Sequence, residues 1–151
     1  MKALIVVDMQ EDYFGKKTKY NGKESLISNI NKKIHSYLNL HNYVIYVKNK
    51  RKTYTPDFVI GLDIGTPFIF EKEKSSCFSN TQFLDFLKNK QINEIEVCGI
   101  DGNCCVKSTA MDSVKNGYKT SISLSTIGVS NKAKFDKTIG ILKNNNIDLA
   151  D

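Results

Sequence analysis

Tryptophan is absent from this chain, and proline and histidine occur twice each in 151 residues. With abundant lysine, asparagine and isoleucine, that bias reflects A/T-rich codons more than function. No Cys-x-x-Cys pair occurs among the four cysteines, Cys77, Cys98, Cys104 and Cys105. Adjacent Cys104 and Cys105 would point in different directions on a helix, so a zinc site is a poor reading. No apolar run approaches the roughly 20 residues that cross a bilayer. The chain enters a strand at residue 2, so no signal peptide is expected. A cytoplasmic protein with reduced thiols is the expectation. Basic and aromatic residues do not interleave into a platform for bases. The formal charge of +6 therefore reads as scattered, solvated lysine, with no nucleic-acid and no membrane partner. There is no repeat, linker or low-complexity segment, and residues 1–151 read as a single domain.

What is present is alternation of two periods. Ala3 to Val7 is a continuous apolar run that fits a central parallel strand and stops at Asp8. Tyr43–Val47, Pro67–Phe70, Ile95–Cys98 and Lys119–Leu124 read as four further strands. Lys23–Leu40 carries Leu26, Ile27, Ile30, Ile34, Tyr37 and Leu38 at helical spacing. Asn80–Lys90, Cys104–Asn116 and Asn131–Asn145 read as three more helices, and Lys48–Thr66 as a long polar connection. Strands alternating with helices predict right-handed crossovers and an α/β, Rossmann-like three-layer sandwich. Its mostly parallel sheet has five to six strands and helices on both faces. Ligands of such sheets bind outside the carboxyl ends of the strands, near a switch in strand order. Asp8 and the Cys104–Cys105 pair are both delivered to that edge.

The stretch from Glu94 to Thr120 holds most of the chemistry. A strand, a tight turn over Gly99–Asn103 and a helix closed by Gly117 place a cysteine in the first helical turn. Unpaired N–H groups and the helix dipole concentrate positive charge there, which predicts a lowered thiol pKa. This argument does not choose between Cys104 and Cys105.

Three segments occur in order: Val7-Asp-Met-Gln-Glu-Asp-Tyr13, Lys72-Glu-Lys-Ser-Ser-Cys-Phe-Ser-Asn-Thr81, and Cys98-Gly-Ile-Asp-Gly-Asn-Cys-Cys-Val106 followed by Thr109-Ala110. Over nearly the whole chain they resemble the isochorismatase-like cysteine hydrolase superfamily, which includes nicotinamidases and N-carbamoylsarcosine amidases. The resemblance implies the isochorismatase-like hydrolase fold and a catalytic triad of Asp8 as general base, Lys72 as the lysine and Cys105 as nucleophile. Lys74 competes with Lys72, but the family spacing to Ser76 favours Lys72. The family places a non-proline cis peptide at the position of Ile100–Asp101, at the turn that serves the oxyanion. Tyr13, Phe14 and Phe78 are expected as pocket walls. The implied reaction is amidohydrolase cleavage of a C–N bond in a small amide or ureido substrate through an acyl-enzyme. The alternative is a non-catalytic binding or scaffold member of the fold. A homo-oligomer, dimer or tetramer, is also implied.

Departures from the pattern narrow this. Nicotinamidases bind a metal through histidines in the region matching Lys48–Asp57, where this chain has none, so no metal and no cofactor is expected. His35 and His41 flank the first helix and read as surface residues. Isochorismatases proper, which cleave a vinyl ether, lack the cysteine. Gly102 and Asn103 replace the usual Thr and Asp of the turn, and Cys77 replaces an Ala. Lys48, Lys50 and Arg51 are alternatives for binding a substrate carboxylate or for a solvated loop.

Overall fold

The computed structural model describes every residue of the chain except Lys17 and Lys19. Seven strands form one sheet: β1 (Lys2–Val7), β2 (Tyr43–Asn49), β3 (Ile69–Lys72), β4 (Glu94–Ile100), β5 (Lys119–Ser123), β6 (Ile127–Gly128) and β7 (Ile147–Ala150). Their order is β3-β2-β1-β4-β5-β7, with β6 pairing the end of β4. All the strand pairs are parallel. Four helices connect them: α1 (Lys23–Asn39), α2 (Thr81–Asn89), α3 (Cys105–Lys115) and α4 (Lys132–Asn144). The three-layer α/β expectation holds. The two strands beyond the five read from the sequence are β6 and β7.

The pleat sorts the central strands onto two cores. Ala3, Ile5 and Val7 of β1 join Ile45 and Val47 of β2 against Phe83 and Leu87 of α2, Val106 and Ala110 of α3, and Leu142 of α4. Leu4, Val6, Val44 and Tyr46 point the other way, onto Leu26, Ile27, Ile30 and Ile34 of α1 and onto Val59 and Leu62 of the connection after β2. One charged side chain lies in the second layer. Glu96 of β4 is buried and receives hydrogen bonds from Tyr37 Oη (2.9 Å) and Ser123 Oγ (3.0 Å), with Lys33 Nζ at 3.2 Å. Those partners offset the cost of burying a carboxylate.

Strand order reverses at β1. Its chain continues through α1 to β2 on one side, while β4 and β5 lie on the other. The carboxyl ends of β1 and β4 are therefore neighbours at the switch point, as Val7 pairs with Gly99. That close approach explains Gly99. Its φ is +113°, and a Cβ there would sit 2.1 Å from the Val7 carbonyl oxygen. β4 runs on through Gly99 to Ile100, two residues beyond Cys98, where the sequence pattern ends it.

Candidate active site

Asp8 is the first residue past β1, in the left-handed region at φ +53°, which aspartate tolerates better than most residues. Its N–H donates to the Val47 carbonyl at 3.0 Å and its carbonyl accepts from the Gln10 N–H at 2.8 Å. Gln10 is completely buried and acts as a clip. Its Nε2 donates to the carbonyls of Asn49 and Pro56, and its Oε1 accepts from the Asn49 N–H at 2.7 Å. The Asp-Met-Gln run thus fixes the exit from β1 and ties the chain after β2 behind it.

Lys72 ends β3, two strands away, and its side chain is fully buried. The ammonium donates to Asp8 Oδ2 at 3.1 Å, to the Lys74 carbonyl at 3.1 Å and to Cys105 Sγ at 3.4 Å. Lys74 itself is exposed. The geometry therefore chooses Lys72 of the two lysines, and Lys74 contributes only its carbonyl. Beyond it, Ser76 caps a short helical turn by accepting from the Phe78 N–H. The Cys77 N–H donates to Thr109 Oγ1 on α3 at 3.1 Å. Thr109, three residues after Val106 in the third motif, clamps the lysine segment onto the helix that carries the cysteine.

Cys105 is the first residue of α3, and Cys104 is its N-cap. Cys105 is partly buried and Cys104 is exposed. Ile100–Asp101 is a cis peptide bond, at the position that the family resemblance implied. The N–H groups of Asp101 and Cys105 have no hydrogen-bond acceptor among the described residues. The substitutions in this turn have local reasons. A Cβ on Gly102 would lie 2.7 Å from side-chain carbons of Ile127, Val129 and Phe135, which fill that space. Asn103 donates through Nδ2 to the Asn131 carbonyl and accepts from Thr138 Oγ1 at 2.7 Å, pinning the turn to α4. An aspartate could not make the first of these bonds.

The protonation states differ from the expectation drawn from the helix start. Burial, the Asp8 charge and a hydrogen bond to Asp8 push the Cys105 thiol up to about 11, with Lys72 and Ser75 opposing. Burial also raises the Asp8 carboxyl, against the pull of Lys72. Burial works against the Lys72 ammonium, but the negative charges of Asp8 and Cys105 outweigh it and its pKa is raised. The resting arrangement is a protonated thiol beside an Asp8–Lys72 ion pair. Burial and the neighbouring Asp8 charge outweigh the pull expected of the helix start.

A cavity of about 550 Å³ opens onto these groups, lined by Asp8, Asp12, Tyr13, Gly15, Thr18, Tyr20, Asp101, Cys104, Cys105 and Ser130. Of the three aromatic walls expected, Tyr13 lines it. Phe14 instead packs into the α1 core against Tyr20, with ring centroids 5.6 Å apart. Phe78 lies on the far side of the lysine segment, against Phe83 and Tyr118. Ile100 is buried in the core, while Asp101 reaches the cavity. Thr18, Tyr20 and Ser130 carried no signal in the sequence. Asp101 gathers two of them: Oδ2 accepts from Tyr20 Oη at 3.2 Å and from Ser130 Oγ at 3.0 Å, and Oδ1 accepts from the Asn103 N–H at 2.8 Å.

The cations from Lys48 to Arg51 are engaged elsewhere. Lys48 lies over the Phe58 ring at 4.4 Å and Lys50 is 3.9 Å from Glu73. The Arg51 guanidinium donates to Asp12 Oδ2 at 2.6 and 3.1 Å and covers the Tyr13 ring. The stretch from Lys48 to Asp57 holds lysines, Arg51 and one carboxylate but no imidazole, and His35 pairs with Asp63 instead. This donor set does not suit a metal ion.

The isochorismatase domain model matches residues 2–146. The chain belongs to the isochorismatase family. Solved structures of this hydrolase fold superpose on it end to end. The pyrazinamidase of Pyrococcus horikoshii in complex with zinc has a TM-score of 0.88 at 18% identity, covering 99% of this chain and 98% of that one. The nicotinamidase of Staphylococcus aureus has a TM-score of 0.85 at 19% identity, covering 99% and 98%. An isochorismatase-like hydrolase from Alkaliphilus metalliredigens has a TM-score of 0.86 at 21% identity, covering 99% and 94%. Among curated proteins none matches the chain.

Proposed function

We propose that this isochorismatase-family protein is a cysteine amidohydrolase that cleaves a C–N bond of a small amide or ureido compound. The observation that carries the reading is the convergence of three strand ends on one sulfur. Lys72 Nζ is within 3.4 Å of Cys105 Sγ and 3.1 Å of Asp8 Oδ2, at the mouth of a cavity sized for a small molecule. A scaffold that had abandoned chemistry would have no reason to keep a buried ion pair beside a partly exposed thiol.

In the reaction, Asp8 takes the thiol proton as sulfur attacks the carbonyl carbon, so thiolate forms only as it is used. The tetrahedral oxyanion receives the N–H groups of Asp101 and Cys105. Each such donor is worth about 10²–10³ in rate. Collapse breaks the C–N bond, and the proton held on Asp8 goes to the departing nitrogen. Asp8 then deprotonates a water that opens the thioester, and the proton returns to sulfur as the acid leaves. Lys72 stays charged throughout and holds Asp8 in place.

The family's assembly into dimers or tetramers is carried into this proposal, with light scattering as its check. The reaction is tested by screening amides and ureides for ammonia release beside Cys105→Ala. Release by the parent that vanishes in the variant supports the proposal. Release that survives in Cys105→Ala, or none from any amide or ureide, overturns it.

A further inference from the structure

A third side chain reaches the sulfur of Cys105. Ser75 Oγ lies 3.8 Å from Cys105 Sγ and 3.0 Å from Ser108 Oγ. Ser75 stands between two anchors, the Lys74 carbonyl held by Lys72 and the Cys77 N–H held by Thr109. Its backbone is therefore fixed relative to the cysteine although its side chain is exposed. Ser108 lies three residues after Cys105 on α3, on the same side of the helix.

Counting protons shows what Ser75 adds. An ammonium has three donors, and those of Lys72 go to Asp8, to the Lys74 carbonyl and to Sγ. Lys72 thus gives the sulfur one hydrogen bond and has none to spare. A hydroxyl has one proton and two lone pairs. Ser75 Oγ is the donor of both contacts, so its single proton serves Ser108 Oγ or the sulfur, and the two acceptors compete for it. Ser75 is the one hydroxyl within hydrogen-bonding reach of Sγ among the described residues.

We propose that Ser75 is a catalytic residue that donates a hydrogen bond to the Cys105 thiolate as it forms, turning its proton from Ser108 to the sulfur. The inference rests on Cys105 being the nucleophile. Ser108 holds the Ser75 proton while the sulfur is neutral. A hydrogen bond to an ionised acceptor is about twice as strong as a neutral one, so it favours thiolate over thiol. It acts where burial and the Asp8 charge oppose ionisation, and Ser75 lowers the thiol pKa against both.

The test needs no substrate. In the full chain carrying Cys104→Ala, Cys105 is the one thiol that is not fully buried. Its alkylation by iodoacetamide is followed against pH by mass spectrometry of the modified peptide. Ser75→Ala is expected to move the midpoint upward by about half a unit to one unit, or ~3- to 10-fold slower alkylation on the acid side. Ser75→Thr keeps the hydroxyl and is expected within about twofold of the parent. Ser108→Ala removes the competing acceptor and is expected to shift the midpoint downward. A Ser75→Ala profile that superimposes on the parent overturns the proposal, as does a Ser75→Thr shift equal to that of Ser75→Ala. Asp8→Asn in the same assay reports on the proposed Asp8–Cys105 partnership alone: its midpoint falls if that partnership holds, whatever Ser75 does.

Discussion

Asp8 gives one carboxylate oxygen to Lys72 and keeps the other free. Oδ2 accepts from Lys72 Nζ at 3.1 Å, while the buried Oδ1 has no hydrogen-bond partner among the described residues. An unpartnered buried carboxylate oxygen is costly. In the proposed reaction the pair divides the labour: Lys72 keeps Asp8 in place, and the Asp8 carboxylate serves as the base.

Replacing Asp8 by Asn is expected to separate two rates. Turnover falls by about 10²–10⁴, the usual worth of a positioned base. Alkylation of Cys105 accelerates, because the negative charge that raises its pKa has gone. Ammonia release and iodoacetamide kinetics on one preparation check both. Parallel loss of the two rates would instead indicate a damaged fold.

The ion pair predicts non-additive stability. Lys72→Met leaves Asp8 buried without its cation, at an expected cost of about 3–5 kcal/mol near neutral pH. The double variant Asp8→Asn with Lys72→Met removes both charges and is expected to recover most of that loss. Urea unfolding of the four proteins in the cycle gives the coupling. Additive losses would show that the pair is not closed in solution.

The acid limb of activity follows from the direction of the Asp8 shift. The base works only when ionised, and its pKa is raised above 3.8 by burial. Activity is therefore expected to fall with decreasing pH at values above the ordinary carboxylate range. Lys72 is raised above 10.5 and the thiol lies near 11, so no alkaline limb is expected at neutral or mildly basic pH. The pH dependence of kcat/KM on any substrate found tests this. A limb at the unshifted aspartate value would remove the case for a desolvated base.

Thiol labelling should sort the cysteines by depth. Cys104 is exposed and is expected to react first with iodoacetamide. Cys105 follows, more slowly at neutral pH because its thiol stays protonated. Cys77 and Cys98 are fully buried, with Cys77 pushed up to about 12 by burial, and should react only on unfolding. Peptide mass spectrometry over time gives the order. Early labelling of Cys98 would contradict the packing of β4 against α1.

Gly102→Thr restores the residue usual at this turn and is expected to destabilise the protein by about 1–3 kcal/mol through overpacking. Ile127, Val129 and Phe135 already occupy the space of the missing side chain. Thermal unfolding measures the loss. Unchanged stability would mean that those three side chains yield freely.

Local pattern was enough for much of this molecule. The apolar run of β1, the helical spacing of α1 and the strand–turn–helix from Glu94 to Lys115 each bury one face, so each leaves a period in the sequence. Three motifs in order were enough to suggest the base, the lysine and the cysteine. Strand β6 left no such mark, since two residues become a strand only by pairing with Gly99 and Ile100. Phe14 follows the first motif and Phe78 lies within the second, but which surface each ring covers is decided by Tyr20 and Phe83. The cavity walls at Tyr20 and Ser130 depend on loops that the Asp101 carboxylate draws together. Protonation shows the division most clearly. The helix start, readable from sequence, argues for an acidic thiol. Only tertiary structure supplies the burial and the neighbouring Asp8 that push it the other way, because desolvation and through-space charge depend on what the fold packs around an atom and not on its neighbours in the chain.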